Sequence, residues 1–237
     1  YLIKVVFIFQ FKKFFVDQPN CPQKFGTDAL ILGGYTPLSG VQRTLDVGSG
    51  SGILALMIAQ RSESAIDAVE ISESAFKDLK QNIQCSPWNR RISAYLTSLQ
   101  KFKPTMMYDL IISNPPYFNN ALQNPNTARA NARHTSTLLF SDLVSFAKTH
   151  LTESGKLSVI LPTISVSEFK KELDITSLYI ERKLDVKSFS DTEVIRSVLI
   201  IGRKKHTLDK DSLVIYREKN VYSNDYIHLL KDFYLDF

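Results

Sequence analysis

Apolar and polar positions change rhythm several times along the chain. Short runs rich in branched and aliphatic residues fall at Arg43–Val47, Ile66–Glu70, Ile92–Leu96, Tyr108–Ser113 and Lys156–Leu161, and each reads as a strand. Between the early runs lie helical patterns. Leu54–Gln60 consists of strong helix formers directly after a glycine-rich stretch, and Ser72 stands as an N-cap before an acidic first turn that opens a helix reaching Gln84. Such alternation predicts a mainly parallel sheet with crossover helices on both faces. After Pro162 the spacing loosens. Leu178–Val186 and Ser197–Gly202 read as two long strands joined through Lys187–Glu193, an antiparallel hairpin expected at the sheet edge. The expected architecture is an α/β, Rossmann-like fold with a seven-stranded, mostly parallel sheet.

No repeat, low-complexity tract or Gly/Ser-rich linker divides the chain, so one domain over residues 1–237 is expected, with residues 1–40 as a basic and aromatic lead. The net charge of +5 and pI near 9.1 suit a polyanionic partner without requiring one. Cys21 and Cys85 lie far apart with no CxxC and no histidine cluster, which argues against a zinc site and a disulfide framework and fits a reducing cytoplasm. Apolar stretches in Tyr1–Phe15 are interrupted by Lys4, Gln10, Lys12 and Lys13, too often for a membrane span, and no small-residue cleavage site follows. No metal, no membrane and a monomeric state are expected. The chain starts without Met, as a sequence missing its natural start would.

The first chemical signal is the run from Leu45 to Gly52, an apolar strand entering a turn with Gly48, Gly50 and Gly52. Glycines let the main chain approach a ligand closely, and ligands in open parallel sheets sit at the carboxyl ends of the strands. The spacing is G-x-G-x-G, with Asp46 two residues before the first glycine, which points away from a dinucleotide pyrophosphate. S-adenosylmethionine carries no phosphate and suits this loop. Glu70, at the end of the second strand, is placed to accept hydrogen bonds from ribose hydroxyls. A tight turn with no ligand and a nicotinamide dehydrogenase are the competing readings.

The second signal follows the strand ending at Ser113: Asn114-Pro115-Pro116-Tyr117. An amine conjugated to a ring is a poor nucleophile, and hydrogen bonds accepted from its two hydrogens make the nitrogen more reactive. Asn114 offers a side-chain oxygen and Pro115 a carbonyl, the prolines remove competing N–H donors, and Tyr117 supplies a face for stacking. A Pro-Pro loop of purely structural meaning is the alternative.

With these motifs the chain resembles class I amino-methylating methyltransferases, and within them the bacterial tRNA1(Val) adenine-37 N6-methyltransferase family. The resemblance rests on Phe11–Val16, Lys24–Asp28, Asp67–Glu70, Ser86–Trp88, Ile111–Tyr117 and Asp232–Leu235, and covers nearly the whole chain from Phe11. It implies methyl transfer from S-adenosylmethionine to the N6 of an adenosine beside the anticodon. Asp46, Gly48, Gly50, Gly52, Glu70 and Asn114 are then the cofactor candidates, with Lys24, Gly26, Thr27 and Asp28 covering the cofactor. Asn114, Pro115, Pro116 and Tyr117 hold the base. Many relatives have Asp after the third strand, where this chain reads Leu96-Thr97-Ser98-Leu99; Ser98, or a main-chain group, takes that place.

For an RNA substrate the expected contacts are Lys12 and Lys13 in the lead and Arg129, Arg133 and His134 in the polar stretch after Tyr117. Most phenylalanines of the lead are expected in the core or in the cofactor lid, and Trp88 as a packed anchor. Other acceptors keep the same motif: guanine N2 in rRNA, adenine in DNA, or a protein glutamine amide. A non-catalytic RNA-binding protein that retains the fold is the rival from another class.

Overall fold

A computed structural model describes residues 8–116, 138–205 and 207–237. A short antiparallel pair, β1 (Ile8–Gln10) and β2 (Phe15–Asp17), leads into α1 (Thr27–Tyr35). Then come β3 (Arg43–Val47), α2 (Ile53–Arg61), β4 (Ala65–Glu70), α3 (Glu73–Gln84), β5 (Ile92–Leu96) and β6 (Tyr108–Ser113). The second half contains α4 (Phe140–His150), β7 (Leu151–Pro162), α5 (Thr163–Asp174), β8 (Tyr179–Lys187) and β9 (Val194–Gly202). It closes with β10 (Asp209–Val214), β11 (Tyr216–Glu218), β12 (Val221–Tyr222) and α6 (Asn224–Leu230).

The main sheet runs β10-β8-β9-β7-β6-β3-β4-β5, and only β9 is antiparallel to its neighbours. The doubly wound class is as expected, and the β8–β9 hairpin is present. Two details differ from the sequence reading. The described sheet has eight strands, and the hairpin is not its edge, because β10 adds in parallel outside β8. The cause is chemical: Asp209, Lys210, Asp211 and Ser212 are exposed and only Leu213 is buried, so the strand has no alternation to detect. Charged residues on a short outer strand also discourage pairing with another chain.

Side-chain alternation divides the core. On β3, Leu45 and Val47 join the apolar layer with Leu143, Val144 and Phe169, whereas the opposite face of the sheet, with Ile66, Leu110 and Ile112, packs on α1 and α2. Helix α2 is buried from Ile53 through Ala59, which explains why its sequence is apolar almost all round. The lead contributes to the same layer: Phe11 stacks on Phe14 at 4.5 Å, and Phe14 meets Trp88 edge-on at 5.8 Å.

Register levels the strand ends. Val47 pairs with Val69 on one side and Ser113 on the other, and Glu70 pairs with Leu96. From β3 the chain proceeds outward to β4 and β5, then returns to lay β6 on the other side, which makes the β3/β6 boundary a topological switch point. Crevices at such points, outside the carboxyl ends of the strands, are where open sheets bind ligands.

Candidate active site

At that edge lies a cavity of about 380 Å³, within the range of roughly 300–1,000 Å³ usual for small-molecule sites. Its walls bring together seven sequence-predicted residues, Lys24, Gly48, Gly50, Glu70, Ser98, Asn114 and Pro116. The glycine turn is fixed by main-chain bonds from Gly48 and Ser49 to the Val69 carbonyl, at 2.9 and 3.0 Å. Gly48 and Gly50 adopt φ of 71° and 56°, and a Cβ on either would meet nothing within 4 Å. These two glycines therefore leave open space in front of the turn, a cradle fit for a ligand.

Glu70 is buried, and its carboxylate is occupied more fully than a ribose contact alone would require. Oε2 accepts from the Gly50 N–H at 2.8 Å, and Oε1 accepts from the Ile71 and Ser72 N–H groups at 2.8 and 2.7 Å. A carboxylate has about four lone-pair positions, so one remains on Oε2 for a hydroxyl. Asp46 stands behind the turn, fully buried instead of on the cavity wall. Its Oδ2 accepts from the Ala55 N–H at 3.2 Å, at the start of α2, and Oδ1 has no partner among the described residues. Burial pushes this carboxyl up to about 7, opposed by the Ser49 hydroxyl and the Ala55 N–H and reinforced by the charge of Glu70.

Residues 18–25 form a strap across the cavity, with Cys21 through Phe25 on its wall. The Lys24 ammonium donates to the carbonyls of Gln18, Pro19 and Cys21, so its charge is spent on closing the strap. Three further lid candidates are elsewhere. Gly26 is the N-cap of α1, Thr27 opens that helix, and Asp28 pairs with Arg196 on β9 at 2.7 Å, none of them on the cavity wall. Their motif builds a helix start that holds the strap, and helix initiation favours the same residue types as a binding loop does. Gly52 is likewise structural: φ is 87°, and its Cβ would fall 2.7 Å from Leu79 Cδ1 of α3.

Ser113 ties the acceptor edge to the glycine turn, its hydroxyl donating to the Val47 carbonyl at 2.9 Å. Asn114 follows, half-buried, then buried Pro115 and exposed Pro116. Tyr117, Arg129, Arg133 and His134 lie outside the described residues. Lys13 is exposed, whereas the Lys12 ammonium donates to the carbonyls of Lys231 and Phe237 at 2.6 and 2.8 Å, which assigns it to fastening the two chain ends. Sequence reasoning did not single out Thr97 and Gln100 on the wall, or Asp78 and Asn82 behind the strap. The available signal for the last two was a pair of polar residues four apart on the face of α3 that also carries Ala75, Leu79 and Ile83.

Among the described residues no group of three or more His, Cys, Asp or Glu side chains is arranged to hold a metal ion, and no helix is long and apolar enough to cross a membrane. A family model described as the methyltransferase small domain matches residues 26–173. The chain is 38% identical over 234 residues to a tRNA1(Val) (adenine(37)-N6)-methyltransferase of Trichodesmium erythraeum, covering 97% of this chain and 98% of that protein. It is 40% identical to a protein of the same description from Pectobacterium carotovorum, covering 96% and 93%. Among solved structures it resembles a predicted O-methyltransferase from Agrobacterium tumefaciens, with a TM-score of 0.69 at 18% identity over 87% of this chain and 96% of that one, a likeness of fold.

Proposed function

The chain belongs to the tRNA1(Val) (adenine(37)-N6)-methyltransferase family, and from that membership we propose that it transfers a methyl group from S-adenosylmethionine to the N6 amine of adenosine 37 in tRNA1(Val). One observation carries the reading: the glycine turn with Glu70 and the Asn114–Pro116 edge meet in one cavity at the switch point of the sheet. A tRNA substrate also implies residence in the cytoplasm.

The cradle suits the donor, because open space lies before Gly48 and Gly50 and the nearby carboxylate suits hydroxyl groups better than phosphate. When bound, S-adenosylmethionine supplies an electrophilic methyl carbon on a sulfonium. Glu70 would hold a ribose hydroxyl through the free position on Oε2, and Thr97, Ser98 and Gln100 give the cavity polar partners for an adenine ring. Asn114 Oδ1 and the Pro115 carbonyl accept the two hydrogens of the target amine, which draws its nitrogen lone pair out of conjugation. No strong base is needed, since the amine becomes acidic only as the new bond forms. The chain acts by alignment and by preorganised acceptors.

Purified protein incubated with the donor and unmodified tRNA1(Val) transcript should yield N6-methyladenosine at position 37, mapped by mass spectrometry, and none in a transcript with guanosine there. Asn114→Ala should lower kcat by about 10² to 10³ while donor affinity stays within a small factor, because the lost contact acts on the transition state. Methylation at another nucleotide, or near-normal turnover in Asn114→Ala, would overturn the reading.

A further inference from the structure

The strap is held in place from outside the cavity. Asn82 of α3 is 1% exposed, and both ends of its amide are hydrogen-bonded. Oδ1 accepts from the Asp17 N–H at 2.9 Å, and Nδ2 donates to the Asp17 carbonyl at 2.7 Å and to the Ser51 carbonyl at 2.8 Å. Asp17 is the last residue before the strap, and Ser51 lies inside the glycine turn. One amide therefore joins the start of the strap to the glycine turn. One helical turn earlier, Asp78, 3% exposed, accepts from the main-chain N–H groups of Asn20 and Cys21 at 2.9 and 2.8 Å and from the Asn20 side chain at 2.7 Å. Within the strap, the Gln18 side-chain oxygen accepts from the Phe25 N–H at 3.0 Å, and Lys24 gathers three carbonyls. The strap is thus a closed loop, riveted to α3 at two points.

We propose that Asn82, with Asp78 beside it, is a positioning residue for the methyl donor, setting the spacing between the strap and the glycine turn between which the donor lies. Neither side chain lines the cavity, so each acts through the main chain it holds. The chemistry explains the residue types. Only an amide both accepts one N–H and donates to two carbonyls from a single short side chain, and a carboxylate is suited to receiving three N–H bonds. An aspartate at position 82 would face two carbonyls with no proton to offer, and an alanine would leave Asp17 and Ser51 with buried unpaired groups. The inference rests on reading the cavity as the donor site, and its test separates the two.

Cys21 provides the readout. It is buried on the cavity wall, and its thiol is pushed up to about 12 by burial and by Asp78, so alkylation at neutral pH requires the strap to lift. In a Cys85→Ser background, which removes the exposed thiol, alkylation of Cys21 by iodoacetamide should be slow and slower still with S-adenosylhomocysteine. Asn82→Ala should raise both that rate and the calorimetric Kd for S-adenosylmethionine by about tenfold or more, with KM for the donor rising in step. Turnover at saturating donor should stay within about threefold, because the acceptor edge is untouched. Asn82→Asp should behave like Asn82→Ala, and Asp78→Asn, which keeps an acceptor oxygen, should raise the donor Kd and KM less; because it also removes the charge beside the Cys21 thiol, donor binding is the readout for this variant. If Asn82→Ala does not unfold cooperatively by circular dichroism, Asn82→Asp decides by the same measurements and Asp78→Asn by donor Kd. Unchanged donor Kd in these variants and unchanged Cys21 reactivity in the Asn82 variants, with Glu70→Gln binding the donor weakly, would refute the clasp and leave the cavity assignment standing. Unchanged donor Kd in Glu70→Gln as well would refute both.

Discussion

Glu70 and Asp46 both stand beside the same glycine turn yet differ in kind. Glu70 meets three main-chain N–H groups, while Asp46 is sealed behind the turn with one oxygen unpartnered among the described residues. The second arrangement makes stability depend on pH. In the unfolded chain Asp46 titrates near 4, and in the fold burial pushes it up to about 7. A carboxyl raised in this way favours the folded state most below its unfolded value, and that favour is lost as pH rises through the folded one. The ligand-free protein should therefore lose melting temperature between about pH 4 and pH 7. Asp46→Asn keeps an acceptor for the Ala55 N–H without the charge and should flatten that decline. Calorimetric scans across this range check it; parallel pH profiles for the two proteins would show that Asp46 does not titrate there.

At the scale of elements, the three glycines of one turn have two purposes. Gly48 and Gly50 face open space, whereas Gly52 closes the turn against Leu79 and lets α2 and α3 approach. All three have φ in the left-handed region, where a side chain costs about 1–2 kcal/mol. Gly52→Ala should lower stability by at least that amount, since its Cβ also meets Leu79, and leave donor affinity close to the parent's. Gly50→Ala should bear a similar strain and lose donor affinity beyond it, because its new methyl group enters the cradle. Urea midpoints and donor Kd for the pair separate these effects; equal losses of donor affinity would mean that Gly52 also serves the ligand. The same scale explains β10, which persists as an edge by pairing with β8 along its length although its sequence is polar.

Across the whole molecule the excess of positive charge acts through its placement. With Lys12 tied to the carbonyls of Lys231 and Phe237 and Lys13 exposed beside it, the two lysines of the lead should separate experimentally. Binding of tRNA should weaken steeply with salt, and Lys13→Gln should reduce the slope of log K against log salt by about one if that ammonium meets a phosphate. Lys12→Gln should leave the slope and lower the melting temperature, because it releases the two chain ends. Titrations of fluorescent tRNA at several salt concentrations read the slopes; a salt-independent affinity would remove nucleic acid as the partner.

Much of this was legible in the chain. The strands Arg43–Val47, Ile92–Leu96 and Tyr108–Ser113 have the bounds that their apolar runs predict, and Ser72 caps α3 by accepting from the Ala75 N–H. Gly48, Gly50, Glu70 and Asn114 were readable because their chemistry is local: left-handed backbone, a strand-end carboxylate, an acceptor before proline. Such signals survive in a linear string, since neighbours within a few residues produce them. The roles of Asp28, Lys12, Asp78 and Asn82 do not survive there. Asn82 meets partners 31 and 65 residues away, and Asp28 meets Arg196 168 residues away. A polar residue on a helix face reads as solvated until docking removes the water and requires that each of its hydrogen bonds be replaced. Sequence determined which residues line the cavity from the strand ends; the packing of α3 and β9 against the lead decided what holds them in place.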